Sequence, residues 1–333
     1  MTTSLSRIAL SALIALLAGG AFVAFVGSAT VVSLLTQAII YAVFALGVGL
    51  LLRQNGLVSF GHAAFFGSAG YSVAVLLETQ AVPAEAAIVL TLLGVTAVSF
   101  LLGLVFVRVP GIAFGMLTLA VGQMLFLTAS RSRGLTGGAD GMNINWPNTL
   151  FGVSTSALTE PHAMFALCWA ALVLTMVALA LLLRGRFGAI TEAVRDNEER
   201  ARFIGIRTLL PRAAVFALSG GVTALAGVLA ALNTGFVSPE NLHWSVSGVA
   251  LMMVVVGGQG ALWGPPLGAV VYFVLKDVLG GYADHWMAIF GAALIATIVF
   301  SPRGLVGALQ RLVRRRAATP AVLPATPRGA VHH

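Results

Sequence analysis

The sequence predicts an all-α polytopic membrane protein with about ten transmembrane segments (8–10) and both termini cytoplasmic. Three observations carry that reading. First, 59% of the 333 residues are apolar, only 9% are charged, and the mean hydropathy is +0.98. A soluble domain carries about 25% charged residues, so this chain lacks the polar groups to cover a water-facing surface. Second, the charges are bunched, which leaves charge-free stretches at 8–52, 54–77, 86–107, 109–130, 161–183, 213–239, 241–275 and 285–302. A helix needs about 20 apolar residues to cross the hydrocarbon core. Third, the basic residues fall on one side of the map that these stretches define.

Taken in order, 8–52 is long enough for two crossings, and the next five stretches supply one each. The stretch 241–275 holds two, divided by GGQGALWGPPLG at 257–268, and 285–302 supplies the last. With the N-terminus inside, sixteen of the nineteen basic residues are cytoplasmic: Arg7, Arg53, Arg108, seven in 184–212 and six from Arg303 onward. Arg131, Arg133 and Lys276 fall outside, with seven of the eleven acids. Positive charge retained in cytoplasmic loops favours this orientation over its mirror image. The first segment, Arg7 followed by an apolar run and AGGAFVAF, is read as a retained crossing. A cleaved signal peptide is the alternative, and it would break the charge parity. Residues 1–183 then form an N-terminal membrane half of about six segments, 184–212 a cytoplasmic loop, 213–302 a C-terminal half of about four segments, and 303–333 a basic tail that reads as disordered beyond residue 317.

Several functions are excluded by what the chain lacks. Its single lysine, Lys276, is followed by Asp277, so no Gly-Lys-Ser/Thr phosphate loop exists. The single cysteine, Cys168, lies in an apolar run and provides neither a disulfide framework nor a thiolate metal site. The net charge of +8 reads as cytoplasmic loops rather than nucleic-acid binding. An ion-driven secondary transporter stays as a less favoured alternative, since it would place ionisable residues at mid-membrane and the central stretches carry only neutral histidines. A membrane enzyme would need a reactive cluster at one depth, and none is found. No catalytic residue, cofactor or metal is expected.

Four places can carry function. In RQNGLVSFGHAAFFGSAGY, Arg53–Tyr71, four glycines, two serines and His62 make a poor lipid-facing helix. Irregular backbone in a membrane survives where protein buries it or water lines it. Two readings stand: a broken or re-entrant segment beside a polar path, or close helix packing through small residues. His62 by itself reads as a neutral ring bonded to a neighbouring carbonyl rather than a solute ligand. In RVPGIAFGMLTLAVGQ, Arg108–Gln123, Pro110 suits a helix's first turn and Gln123 reads as bonding a neighbouring helix. The outer loop 131–161, with TGGADGMNINWP, lacks the alternate acids of a calcium loop and reads as a structured connection. The loop 184–212 carries seven basic and four acidic residues. Its residues Ile190–Phe203 suit a helix N-capped by Thr191 and stopped at Gly205, a docking element for a cytoplasmic partner.

The order GLVSFGHAAFFGSAGY, RVPGIAFGMLTLAVGQ, LTGGADG, FIGI, VSPE, VVVGGQGALWGPPLGA and FSPRGLVG resembles the LivM-type permeases of branched-chain amino acid ABC importers, from about Gly56 to Gly307. The resemblance implies a multi-pass protein of the bacterial inner membrane that pairs with a LivH-type permease subunit. It also implies two cytoplasmic ABC ATPase subunits, a periplasmic solute-binding protein, and uptake of leucine, isoleucine and valine. ATP hydrolysis would then lie on the partners. The 184–212 loop resembles the ATPase-coupling loop, whose pattern begins Glu-Ala-Ala with a glycine four positions after the second alanine. Glu192 and Ala193 fit, Val194 replaces the second alanine, Glu198 stands at the glycine position, and Gly205 is a shifted counterpart. Ala193, Val194, Ala201 and Phe203 are its expected docking contacts. Ser59, Gly61, His62, Phe65, Phe66, Gly67 and Gln123 are the translocation-path candidates. Relatives often carry glutamate where Gln123 stands. A neutral amide anchors an ammonium less strongly, which keeps open urea, short amides or another amino acid as the solute.

Overall fold

The computed structural model describes residues 12–21, 28–80, 82–281 and 304–308, with isolated positions between 288 and 295. The helices are α1 (Ala12–Ala21), α2 (Ala29–Asn55), α3 (His62–Glu78), α4 (Ala84–Phe106), α5 (Gly111–Arg131), α6 (Arg133–Thr136), α7 (Thr155–Leu158), α8 (Pro161–Arg184), α9 (Arg186–Asp196), α10 (Glu198–Phe203), α11 (Leu209–Thr234), α12 (Trp244–Gly257) and α13 (Gly264–Gly280). Of these, α2, α4, α5, α8 and α11 are long and apolar enough to cross a membrane by themselves. The expected segment 285–302 and the tail beyond residue 308 lie outside the described residues.

Two helices form the axis of the bundle. In their most apolar windows α2 and α11 are 67% and 72% buried, against 22%, 28% and 22% for α4, α5 and α8. Small residues make that axis possible, because without a water-driven force helices in lipid associate through close packing. Gly47 on α2 faces the Ser219 carbonyl and Thr223 of α11, and Gly220 and Gly221 of α11 face Ser99 and Thr96 of α4. The outer helices leave Leu93, Val98, Leu101, Met116, Met124 and Leu174 exposed. That is a burden in water and none in hydrocarbon.

Three expectations are corrected in detail. The irregular backbone of the 54–77 stretch is confined to residues 56–61, and α3 then runs unbroken. Gly56, at φ 66°, ends α2 in the left-handed conformation that a side chain resists, and its N–H returns to the Leu52 carbonyl. The α12–α13 break is shorter than GGQGALWGPPLG, because Pro265 and Pro266 sit in the first turn of α13, where their missing N–H groups cost nothing. The helix expected over Ile190–Phe203 is two helices parted at Asn197, whose side chain accepts the Arg200 N–H at 2.8 Å. Asn197 is therefore the cap. Thr191 lies inside α9 and is buried.

The two ends of the bundle collect different loops. At one end Arg195 donates to the Arg53 carbonyl at 2.6 Å, and Asn55 Nδ2 donates to the Arg212 carbonyl at 2.9 Å. Arg108 shares a cleft there with Arg202 and Arg212, and the α12–α13 turn residues Gln259 and Gly260 share another with Arg53, Glu192 and Arg195. At the opposite end the 131–161 loop is structured, as expected: Met142–Asn143 pairs antiparallel with Phe236–Val237, and Thr149–Leu150 with Val153–Ser154. Glu85 accepts the Phe151 N–H there at 2.9 Å.

Candidate functional site

Helices α3, α4 and α5 line a cavity of 620 Å³, the wedge, which opens where α4 and α5 barely touch and is backed by Phe216 of α11. Its lining on α4 runs from Leu90 to Phe106, about 24 Å at 1.5 Å per residue. The walls are mostly apolar, but hydroxyls punctuate them: Ser59, Ser68, Tyr71, Ser72, Thr91, Thr118 and Thr136. Most helix hydroxyls of this kind satisfy themselves on a carbonyl one turn back, as Thr118 does on Gly115 at 2.9 Å. The Tyr71 hydroxyl and Thr91 Oγ1 are buried and have no partner among the described residues. Leaving such groups dry and unpaired costs about 1–3 kcal/mol each, so both are disposed to take a polar atom from whatever fills the wedge.

The path candidates divide. Ser59, Gly61 and Phe65 line the wedge. His62 lies behind it, fully buried, with Nδ1 2.8 Å from Ser59 Oγ and Nε2 2.6 Å from Ser219 Oγ. The tautomer follows from proton bookkeeping. Ser219 donates its hydroxyl hydrogen to the Gly47 carbonyl at 2.7 Å, so it must accept from Nε2–H. Nδ1 then accepts from Ser59. The ring is a neutral brace between α3, α11 and the 56–61 segment, held by two serine hydroxyls where the sequence reading expected a backbone carbonyl. Phe66 stacks on Phe44 with centroids 5.1 Å apart, inside the core. Gly67 is packed: a Cβ there would lie 2.6 Å from Leu242 Cγ and 2.9 Å from the Asn241 carbonyl carbon. Gly61 serves both readings, since it lines the wedge and a Cβ would also press on the Thr118 carbonyl. Gln123 differs from its expectation of a helix-to-helix bond, because its Oε1 is buried without a partner among the described residues.

The loop 184–212 forms the second polar assembly. Glu198 accepts from Arg202 Nη2 at 2.5 Å, from Thr208 at 2.9 Å and from Arg212 Nη1 at 2.6 Å. Burial pushes its carboxyl up, but the Thr208 hydroxyl, Arg212 and Arg202 outweigh burial and hold it below the ordinary 4.5. The residue that broke the glycine pattern thus ties α10 to α11. Val194 and Ala201, expected at a docking face, are only 3% and 2% exposed and pack inward, whereas Phe203 and Ile204 are 91% and 71% exposed. Ala193 is exposed and Gly205 turns the chain at φ 85°. Sequence reasoning did not single out Tyr71, Thr91, Gln54 or Ile204. The i, i+4 spacing of Ser68 and Ser72 was the one available sign that this α3 face meets something polar.

Apolar helices around an elongated cavity, with polar segments gathered at two ends, define a polytopic membrane protein of the permease class. The chain belongs to the family described as "Branched-chain amino acid transport system / permease component", whose model matches residues 30–298. It is an ABC-transporter permease of the LivM type, a transport subunit rather than a catalytic enzyme. It is 25% identical to the high-affinity branched-chain amino acid transport system permease protein LivM of Salmonella typhimurium, over 83% of this chain and 69% of the relative. The LivM of Escherichia coli is likewise 25% identical, over 85% of this chain and 71% of that protein. The autoinducer 2 import system permease protein LsrC of Salmonella paratyphi B is 33% identical, over 49% of each chain. No solved structure matches the chain.

Proposed function

We infer that this permease subunit moves branched-chain amino acids, namely leucine, isoleucine and valine, across the bacterial inner membrane as part of an ATP-driven importer. The observation that carries the reading is the wedge: apolar walls suited to branched side chains, with the unpartnered Tyr71 and Thr91 hydroxyls to receive a polar end. Ser59, Gly61 and Phe65 belong to that path, and Gln123, beside the wedge-lining Gly122, offers a further acceptor. His62, Phe66 and Gly67 hold its rear wall. The chain supplies half of the pathway. A LivH-type permease supplies the rest, two cytoplasmic ABC ATPases drive alternation between outward- and inward-open states, and a periplasmic binding protein delivers the solute.

The topology is ten crossings with both termini cytoplasmic. The gathering of Arg53, Arg108, the 184–212 loop and the α12–α13 turn at one end of the bundle supports it, since those are the loops the charge map makes cytoplasmic. The same gathering supports 184–212 as the ATPase-coupling loop between membrane halves 1–183 and 213–302. Glu192 and Ala193 carry its pattern, Val194 anchors it inward, and Phe203 with Gly205 forms its tip. A second reading of the solute, as urea, a short amide or another amino acid, is favoured by the neutral Gln123. Uptake into proteoliposomes carrying the whole importer decides between them. Labelled leucine should enter only with ATP on the ATPase side and binding protein on the other, with urea failing to compete. Uptake without ATP would overturn the importer reading, and competition by urea but not by isoleucine would overturn the solute.

A further inference from the structure

Beside the coupling loop, the α4–α5 turn, α10 and the start of α11 enclose a cleft of 320 Å³ whose polar lining includes Arg108, Glu198, Arg202, Thr208 and Arg212. Three guanidinium groups face one carboxylate. Glu198 is satisfied by Arg202 and Arg212, at 2.5 and 2.6 Å, while Arg108 has no partner among the described residues. Two positive charges are therefore uncompensated in a partly enclosed space. The Arg212 side chain is only 15% exposed, so solvent screens it weakly. The planar fork of arginine matches a phosphate better than a point charge does.

A second observation concerns what surrounds the cleft. Each of the three long helices that reach it exposes a large apolar side chain within two residues of one that lines the cleft: Val105 near Val107, Ile112 near Pro110 and Leu210 beside Leu209, exposed by 60%, 85% and 50%. A free anion needs only the arginines, whereas an amphiphile uses both the arginines and the apolar collar. We propose that the cleft binds the phosphodiester headgroup of an anionic phospholipid, whose acyl chains lie along Val105, Ile112 and Leu210. Basic pockets between transmembrane helices commonly serve this purpose. Because Glu198, Arg202 and Thr208 belong to or adjoin α10, a lipid seated here steadies the base of the loop proposed to meet the ATPase.

The test is a thermal-unfolding titration of the full-length chain, purified in detergent with its partner subunits. Phosphatidylglycerol should raise the midpoint saturably, phosphatidylcholine of the same acyl chains should not, and inorganic phosphate should neither reproduce the rise nor compete. Arg108→Gln should raise the half-saturating phosphatidylglycerol concentration about fivefold, since one basic residue near an anionic surface is worth about that factor. Its lipid-free midpoint should stay unchanged, because Arg108 gives up no partner among the described residues, and Arg108→Lys should retain most of the response. Equal responses to the two lipids, or an Arg108→Gln curve superimposed on the wild type, would overturn the site. A rise produced by phosphate alone would replace the lipid with a free anion and overturn the proposed occupant.

Discussion

Thr191 on α9 donates its hydroxyl hydrogen to Oε1 of Gln54 on α2, 2.7 Å away across 137 positions of sequence. Both side chains are buried, and the Nε2 of Gln54 has no partner among the described residues. One turn further on, Arg195 grips the Arg53 carbonyl. The coupling-loop candidate is thus fastened to the last turn of α2, immediately before the 56–61 break that leads to Ser59 and Gly61 at the wedge. These contacts and the short backbone segment after them connect α9 physically to the wedge.

Thr191→Val keeps the shape of the side chain and removes its hydroxyl. Both polar ends of the buried Gln54 amide then lack a partner, a change that costs about 1–3 kcal/mol. The thermal midpoint of the assembled complex should fall accordingly. Adding Gln54→Leu should restore much of it, because replacing both members of a buried pair is milder than orphaning one. A Thr191→Val midpoint equal to the wild type would show that the contact carries no stability.

Glu198 makes stability depend on acid in a definite direction. Its folded-state carboxyl titrates below the ordinary 4.5, so its contribution is complete above that value and is lost as pH falls through the lower, folded value. Glu198→Gln should therefore lower the unfolding midpoint at neutral pH. The gap from wild type should close as the pH is taken below about 4.5. A gap independent of pH would mean that the Arg202 and Arg212 contacts are not charge-dependent.

The helices were legible because the charges fence them, and the glycine-rich stretch after Arg53 was legible as a place of irregular backbone. What sequence could not supply was direction. Val194 and Phe203 are both apolar, yet one is buried and the other projects, since the chain breaks at Asn197 and α10 points along a new axis. A lone asparagine among charged residues gives no periodic sign of such a break. Tyr71 and Thr91 were illegible for other reasons: a threonine on a helix normally satisfies itself on a carbonyl one turn back, a tyrosine hydroxyl finds its partner only through tertiary packing, and the sequence shows neither outcome.

His62 should prove more important to folding than its isolated place in the sequence suggests. His62→Ala removes a fully buried ring and strands Ser59, which should cost at least about 2 kcal/mol by analogy with other large-to-small core changes. The yield and thermal midpoint of the complex should fall, while the rank order of competing solutes among surviving transporters stays the same. A changed rank order with an unchanged midpoint would move His62 from brace to ligand.

Glycines separate packing from pathway. Gly67 has Leu242 and the Asn241 backbone where a side chain would start, so even Gly67→Ala should overpack α3 by about 1–3 kcal/mol and impair assembly. Gly94, on α4, instead faces open space and lines the wedge. Gly94→Leu should assemble normally and reduce uptake by filling the cavity. Normal uptake with leucine at position 94 would remove the wedge from the translocation path.

Phe203 and Ile204 end α10 with two large apolar side chains in the open, beside the charged residues Glu199, Arg200 and Arg202. Lipid is not the fitting neighbour for a tip so ringed with charge, whereas a pocket on a protein partner would bury the apolar pair and leave the charges at its rim. Rim charges set register more than affinity, and a buried aromatic supplies most of the binding energy. Phe203→Ala should therefore weaken ATPase retention by about 1–3 kcal/mol. ATP hydrolysis stimulated by the binding protein should fall together with uptake, while the variant still inserts and pairs with the second permease subunit. Ile204→Ala should act in the same direction and more weakly. Val194→Ala, on the inward face, should lower the thermal midpoint without loosening the ATPase, and substitutions beyond Thr319 should change neither quantity. If the Phe203 variant holds its ATPase and hydrolyses ATP normally, the anchor lies elsewhere in the loop. If every exposed substitution between Arg184 and Arg212 behaves that way, the loop does not couple at all.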